Sequence, residues 1–199
     1  DVLGSRGLGD VYKRQYLFRF FIYSWFNLAS CIGIGIYPLI EMNKGVKESV
    51  EQWEELKNTP KEETSNENVD QSIVGMMQIA SFDKLLPIRV GTSDAILTKG
   101  VGIDDDTSMI GDVGNSVLYG HREEIFWNLK HVEVGELITI ETLDNTLTYE
   151  IQDIQIVDPD DDWIYESSDR SMITLVTCYP FVYMGPTPER YVVKASLIE

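Results

Sequence analysis

Cys178 closes the apolar run Met172-Ile173-Thr174-Leu175-Val176-Thr177 and is followed by Tyr179-Pro180. A strand that stops at a cysteine and soon meets proline presents its thiol at a sheet edge, at the mouth of whatever pocket lies there. A cysteine acyl-transfer site also needs an imidazole within reach, to manage the thiol proton and to protonate a departing amine. Of the 2 histidines, His121 ends the strand-like run Val117-Leu118-Tyr119-Gly120, whereas His131 stands in a polar turn before Val132 and reads as a surface residue. His121 is therefore the better partner. Arg190 opens Arg190-Tyr191-Val192-Val193, and a loop holding Gly185, Pro186 and Pro188 would lay that run beside the cysteine strand. A guanidinium fixed there can bond a substrate carbonyl and stabilise the oxyanion that forms from it. The plainer readings are a buried structural cysteine and a surface ion pair between Arg190 and Glu189.

The other cysteine, Cys31, falls inside a long apolar stretch and cannot plausibly pair with Cys178 across that change of environment. Outside the cell free thiols tend to be oxidised or paired, so a lone thiol on an exported domain invites a catalytic reading.

The elements that must position these residues are short. Candidate strands, rich in β-branched residues and separated by Gly, Pro, Asp and Asn, are Val74 to Ala80, Leu86 to Val90, Ser116 to Gly120, Leu137 to Glu141, Leu147 to Val157, Met172 to Thr177 and Arg190 to Leu197. Helical turns are expected at Ala95 to Gly100 and Glu124 to Lys130. Strands at this spacing with little helical pattern indicate an all-β barrel or sandwich.

Before them, Tyr16 to Ile40 is interrupted by one charge, Arg19, and from Phe20 its roughly 20 apolar-dominated residues suffice for a membrane-spanning helix. Lys13, Arg14 and Arg19 precede the run and Glu41 follows, which places the N-terminus in the cytoplasm and the rest outside. A cleaved signal peptide is the alternative, but the run exceeds the usual apolar region and lacks a small-x-small end. Residues 1–15 show neither period nor initiator Met, resemble translated adapter sequence, and read as a non-native leader. Val46, Val50, Trp53 and Leu56 recur at helical spacing, and Asn58 to Gln71 is almost free of apolar residues. Residues 41–72 are thus expected to be a juxtamembrane helix and polar linker, a spacer without a partner, and 73–199 the catalytic domain. A net charge of -17 excludes nucleic acid, whose binding needs a basic surface.

Thr174-Leu175-Val176-Thr177-Cys178 resembles the TLxTC signature of the sortases, with His121 before it and Arg190 after it in that family's order. Tyr119-Gly120-His121-Arg122, Pro87-Ile88, Gly100-Val101-Gly102 and Cys178-Tyr179-Pro180-Phe181 are also similar to sortase segments, from about Ile73 to Glu199, and the Tyr-Pro-Phe and the Gly185-Pro186-x-Pro188-x-Arg190 approach look most like class D. The resemblance implies a closed barrel of about eight strands with short helices, tethered to a Gram-positive cell membrane by a single N-terminal transmembrane helix. It implies a cysteine transpeptidase that cleaves an LPxTG-like sorting signal through a thioester on Cys178 and passes the acyl group to a cell-wall precursor amine. His121 would act as imidazolium acid and Arg190 as oxyanion clamp, with backbone near Thr177 assisting. Leu86, Ile88, Val176, Thr177 and Val182 would contact substrate.

No cofactor is implied. Asp104-Asp105-Asp106 lacks the alternating ligand spacing of a cation loop and reads as a solvated turn, so no metal is expected. Glu123-Glu124 after His121-Arg122 departs from the class D pattern, and carboxylates there would favour the imidazolium. A pilin-polymerising sortase, expected to carry a lid and a C-terminal anchor that are not seen before Glu199, is the nearest alternative. A non-catalytic surface-binding barrel is the other.

Overall fold

The computed structural model describes residues 37, 39–58, 72–183 and 185–198. Most of the expected span at 16–40, all of the leader at 1–15 and residues 59–71 of the linker lie outside these. Among the described residues no helix is long and apolar enough to cross a membrane.

Eight strands close into a barrel in the order β1-β2-β3-β4-β7-β8-β6-β5. They are β1 (Ile73–Ile79), β2 (Leu86–Val90), β3 (Val101–Ile103), β4 (Gly114–Tyr119), β5 (Leu137–Glu141), β6 (Thr146–Val157), β7 (Ser171–Tyr179) and β8 (Glu189–Leu197). Pairs β2–β3 and β4–β7 are parallel and the others antiparallel. The seven strands expected from the sequence are all present, and β3 is the additional one. Its three residues, with Gly102 at the centre, are too few to show a period of two. The short helices are α2 (Asp94–Leu97) and 3-10 turns at Trp127–His131 and Asp162–Tyr165.

Alternation along each strand divides the apolar residues between two clusters. Leu118, Ile173, Leu175, Val193 and Ala195 point into the barrel core with Leu86, Ile88, Ile138, Ile140 and Tyr149. Val117, Val176 and Val192 point the other way and, with Val157, form a smaller cluster under Ile164 and Trp163 of the β6–β7 connection.

Residues 39–58 are helical and form α1. From Glu41 onward this helix belongs to the same compact unit as the barrel, so the helical part of 41–72 has a partner, while residues 59–71 lie outside the described residues. Trp53 and Leu56 pack with Ile73 and Met76 of β1. Arg89, itself buried in β2, donates through Nη2 to Ser49 Oγ at 2.8 Å and Gln52 Oε1 at 3.2 Å, and through Nη1 to Ser72 Oγ at 2.6 Å. Lys57 adds an exposed pair to Glu141 of β5 at 2.7 Å. The apolar stripe read from the sequence is thus the face that α1 buries, and a polar seam with Arg89 fixes its register.

Candidate active site

Strand pairing brings Cys178 and Arg190 together and lays the end of β4, just before His121, beside β7. Cys178 and Arg190 are direct partners across the β7–β8 ladder, and Tyr119 of β4 is the partner of Val176 on the other side of β7. The Gly120 amide continues that ladder to the Val176 carbonyl at 3.2 Å. His121 follows immediately in the chain, just past the end of β4. Directly opposed residues share a face, so Cys178 and Arg190 lie on the face of Val176 and Val192, away from the barrel core. Val117 and Tyr119 share this face, and β4 ends at Tyr119, two residues before His121. Cys178, His121 and Arg190 are all half-buried. β7 runs through Tyr179, so the cysteine sits within the strand rather than at its end.

Local contacts hold these positions. Thr177 Oγ1 donates to the Gly120 carbonyl at 2.7 Å, tying the residue before the cysteine to the residue before the histidine. Gly120 has no alternative, because a Cβ there would lie 2.6 Å from the Phe126 ring. The Phe126 amide in turn binds the His121 carbonyl at 2.9 Å. Arg190 Nη1 donates to the Glu189 carbonyl at 3.0 Å and to the carbonyl and hydroxyl of Thr187 at 3.4 Å. These acceptors are backbone and hydroxyl oxygens rather than the Glu189 carboxylate of the plainer reading.

The β6–β7 connection roofs this face. Tyr165 donates to Asp104 Oδ2 at 3.1 Å, which leaves its oxygen to accept from Tyr119 at 2.6 Å. Burial and the bond to Tyr165 raise the Tyr119 pKa, and the nearby Arg190 charge opposes the rise. Asn115 Nδ2 donates to the Ile164 and Glu166 carbonyls at 3.0 and 3.1 Å while its Oδ1 accepts from Thr174 Oγ1 at 2.7 Å. Lys194, buried in β8, meets Glu166 Oε2 at 2.9 Å and lies 4.2 Å over the Trp163 ring. Beyond Cys178 an aromatic group of Tyr179, Phe181 and Tyr191 extends to Trp127, with ring centroids 5.2 to 6.4 Å apart.

The proposed contact residues are placed less uniformly. Leu86 and Ile88 are 0% exposed and point into the barrel core, Val176 is covered by the β6–β7 connection, and Thr177 spends its hydroxyl on Gly120. Of the five, only Val182, 83% exposed, offers surface to a ligand. The strand run Leu86 to Val90 carried no sign of which side chains turn inward. Tyr119, Tyr165 and Arg122 border the site instead, two of them inside the Tyr119-Gly120-His121-Arg122 segment. Glu123 Oε1 is taken by Arg122 Nε at 2.9 Å, and the Glu124 carbonyl accepts from Lys84 at 2.8 Å.

The family description "Sortase domain" matches residues 77–198. The chain belongs to the sortase family. As a sortase it is a transpeptidase, and its similarity runs to class D. It is 30% identical to the Sortase D of Bacillus subtilis (strain 168) over 83% of this chain and 91% of that one. Among solved structures, a Clostridium perfringens Sortase D5 transpeptidase shares 29% identity at a TM-score of 0.66, covering 78% of this sortase and all but a fraction of the other, 99%. The catalytic domain of Bacillus anthracis SrtD shares 36% identity at 0.55, covering 68% and 93%. A sortase C from Clostridium perfringens SM101 shares 30% at 0.56, covering 80% and 90%.

Proposed function

We propose that this sortase cleaves an LPxTG-like sorting signal at the outer face of the cell membrane, with Cys178 as nucleophile, His121 as proton-transfer partner and Arg190 as clamp. The Cys178 thiolate attacks the Thr-Gly carbonyl carbon and its oxygen takes the negative charge beside the Arg190 guanidinium. Collapse of that adduct breaks the C–N bond, His121 gives its proton to the departing amine, and a Cys178 thioester remains. An amine of a cell-wall precursor then attacks the thioester carbonyl, returns a proton to His121 and frees the thiolate. Of the proposed contact residues, Val182 is the one exposed enough to meet the peptide.

The observation that carries the reading is the opposition of Cys178 and Arg190 on adjacent strands, with β4, which ends two residues before His121, paired to the other side of β7. Residues 16–40 serve as the single-pass anchor, with the N-terminus cytoplasmic and residues 73–199 outside. Incubation with a library of LPxTG-type peptides followed by mass spectrometry tests the chemistry. A thioacyl adduct on the peptide bearing Cys178 is expected, resolved on adding an amine. Turnover without any adduct on that peptide overturns the assignment.

A further inference from the structure

The two residues flanking His121 are tied to the chain on either side of Cys178, at Thr177 before it and at Pro180 and Tyr183 after it. Upstream, Thr177 Oγ1 reaches the Gly120 carbonyl. Downstream, Arg122 Nη1 donates to the Pro180 carbonyl at 2.7 Å and Nη2 to the Tyr183 carbonyl at 2.8 Å. The Arg122 side chain is 8% exposed, and its Nε donates to the half-exposed Glu123 carboxylate at 2.9 Å. A desolvated cation is costly unless its donors are used. Here each of the three guanidinium nitrogens has an acceptor, and two of those acceptors belong to the segment that leaves β7 just after the cysteine. Spanning two carbonyls needs a planar fork, which an ammonium lacks.

We infer that Arg122 is a positioning residue for transpeptidation: through the Pro180 and Tyr183 carbonyls it fixes the chain leaving Cys178 against the backbone of His121, and so sets the separation of thiol and imidazole. The inference rests on the reading of Cys178 and His121 as the reactive pair. It assigns Arg122 no contact with substrate. Losing it displaces catalytic groups without removing any, and misplacement on the order of 1 Å costs up to about 100-fold in rate.

The test compares wild type, Arg122→Gln, Arg122→Lys and Cys178→Ala, purified with the intact 73–199 region and residues 41–72. The readouts are kcat and KM for an LPxTG-type peptide, and the pH dependence of Cys178 alkylation by iodoacetamide. Arg122→Gln should lose about 10- to 100-fold in kcat with KM nearly unchanged, and its alkylation profile should shift along the pH axis. Arg122→Lys, which keeps one carbonyl contact, should fall between. Wild-type kcat and an unmoved alkylation profile in both variants, with only a lower melting temperature, overturn the inference and make Arg122 a folding residue. Failure of both variants to fold has the same meaning. If Cys178→Ala keeps its activity, the nucleophile assignment falls, whatever the Arg122 variants do.

Discussion

Cys178 and Arg190 are a directly opposed pair across β7 and β8, on the side of the barrel wall that carries Val176 and Val192. Side chains so placed have Cβ atoms about 5 Å apart, close enough for a guanidinium to reach a carbonyl oxygen while the sulfur reaches its carbon. The pairing sits in the closely contacted β7–β8 sheet rather than on a loop, so the clamp is built on rigid scaffold. Arg190 Nη1 is further restrained by Glu189 and Thr187.

Removing the nucleophile and weakening the clamp should therefore give different signatures. Cys178→Ala is expected to abolish turnover with matched circular dichroism. Arg190→Ala should lower kcat/KM by about 100-fold or more, the scale of losing an oxyanion donor. Arg190→Lys keeps charge but loses the fork and should stay substantially impaired. Lys at wild-type rate would mean that only positive potential matters at position 190. Transpeptidation of a peptide onto an amine by purified variants measures all three.

The histidine assignment is checked by pH. If the reactive form is the thiolate–imidazolium pair, kcat/KM is bell-shaped and its limbs report macroscopic values of the Cys178 and His121 pair. His121→Ala should remove turnover by orders of magnitude, while His131→Ala, at an exposed position, should behave as a surface change. An equal loss in the two variants, together with a flat profile, means the other histidine was the right one.

Helix α1 should contribute measurably to stability. Trp53 is 1% exposed between Leu56 and Ile73, and truncation of a buried aromatic costs about 3–5 kcal/mol. Trp53→Ala is expected to lower the urea midpoint by a corresponding amount. A chain beginning at residue 73 also leaves Arg89 without Ser49 and Gln52, and should be less stable than one beginning at residue 41. Equal midpoints for the two chains would mean that α1 does not support the barrel.

Tyr119 of β4 and Tyr165 of the roof should set an alkaline limit on stability. Burial raises the Tyr119 pKa above the usual 10.0, with Tyr165 as the next cause, and burial likewise raises Tyr165. The unfolded chain then gives up these protons first as pH climbs past about 10, so stability present below that pH is lost above it. Tyr119→Phe should flatten the decline between pH 10 and 12 in denaturant titrations, while lowering stability near neutrality through the loss of its bond to Tyr165. An unchanged slope would place the alkaline sensitivity elsewhere.

Sequence by itself determined the parts that depend on local pattern. Alternation and β-branched residues gave seven of the eight strands, the loop with Gly185, Pro186 and Pro188 implied that the strands of Cys178 and Arg190 lie side by side, and the residue chemistry singled out Cys178, His121 and Arg190. The helical stripe of Val50, Trp53 and Leu56 was likewise legible, since a period of 3.6 is written in adjacent residues. Tertiary structure decided what no local pattern encodes. It decided that β4 lies parallel to β7, which brings the strand end before His121 beside the cysteine strand although the two are far apart in sequence. It decided which face each strand turns inward, so that Leu86 and Ile88 became core while Tyr119 and Tyr165 came to border the site. It also gave α1 a partner and sent the Arg122 fork to two carbonyls about sixty residues away. The physical reason is the same in each case: a strand's period fixes that its side chains alternate, but barrel closure and register alone fix which neighbours they meet.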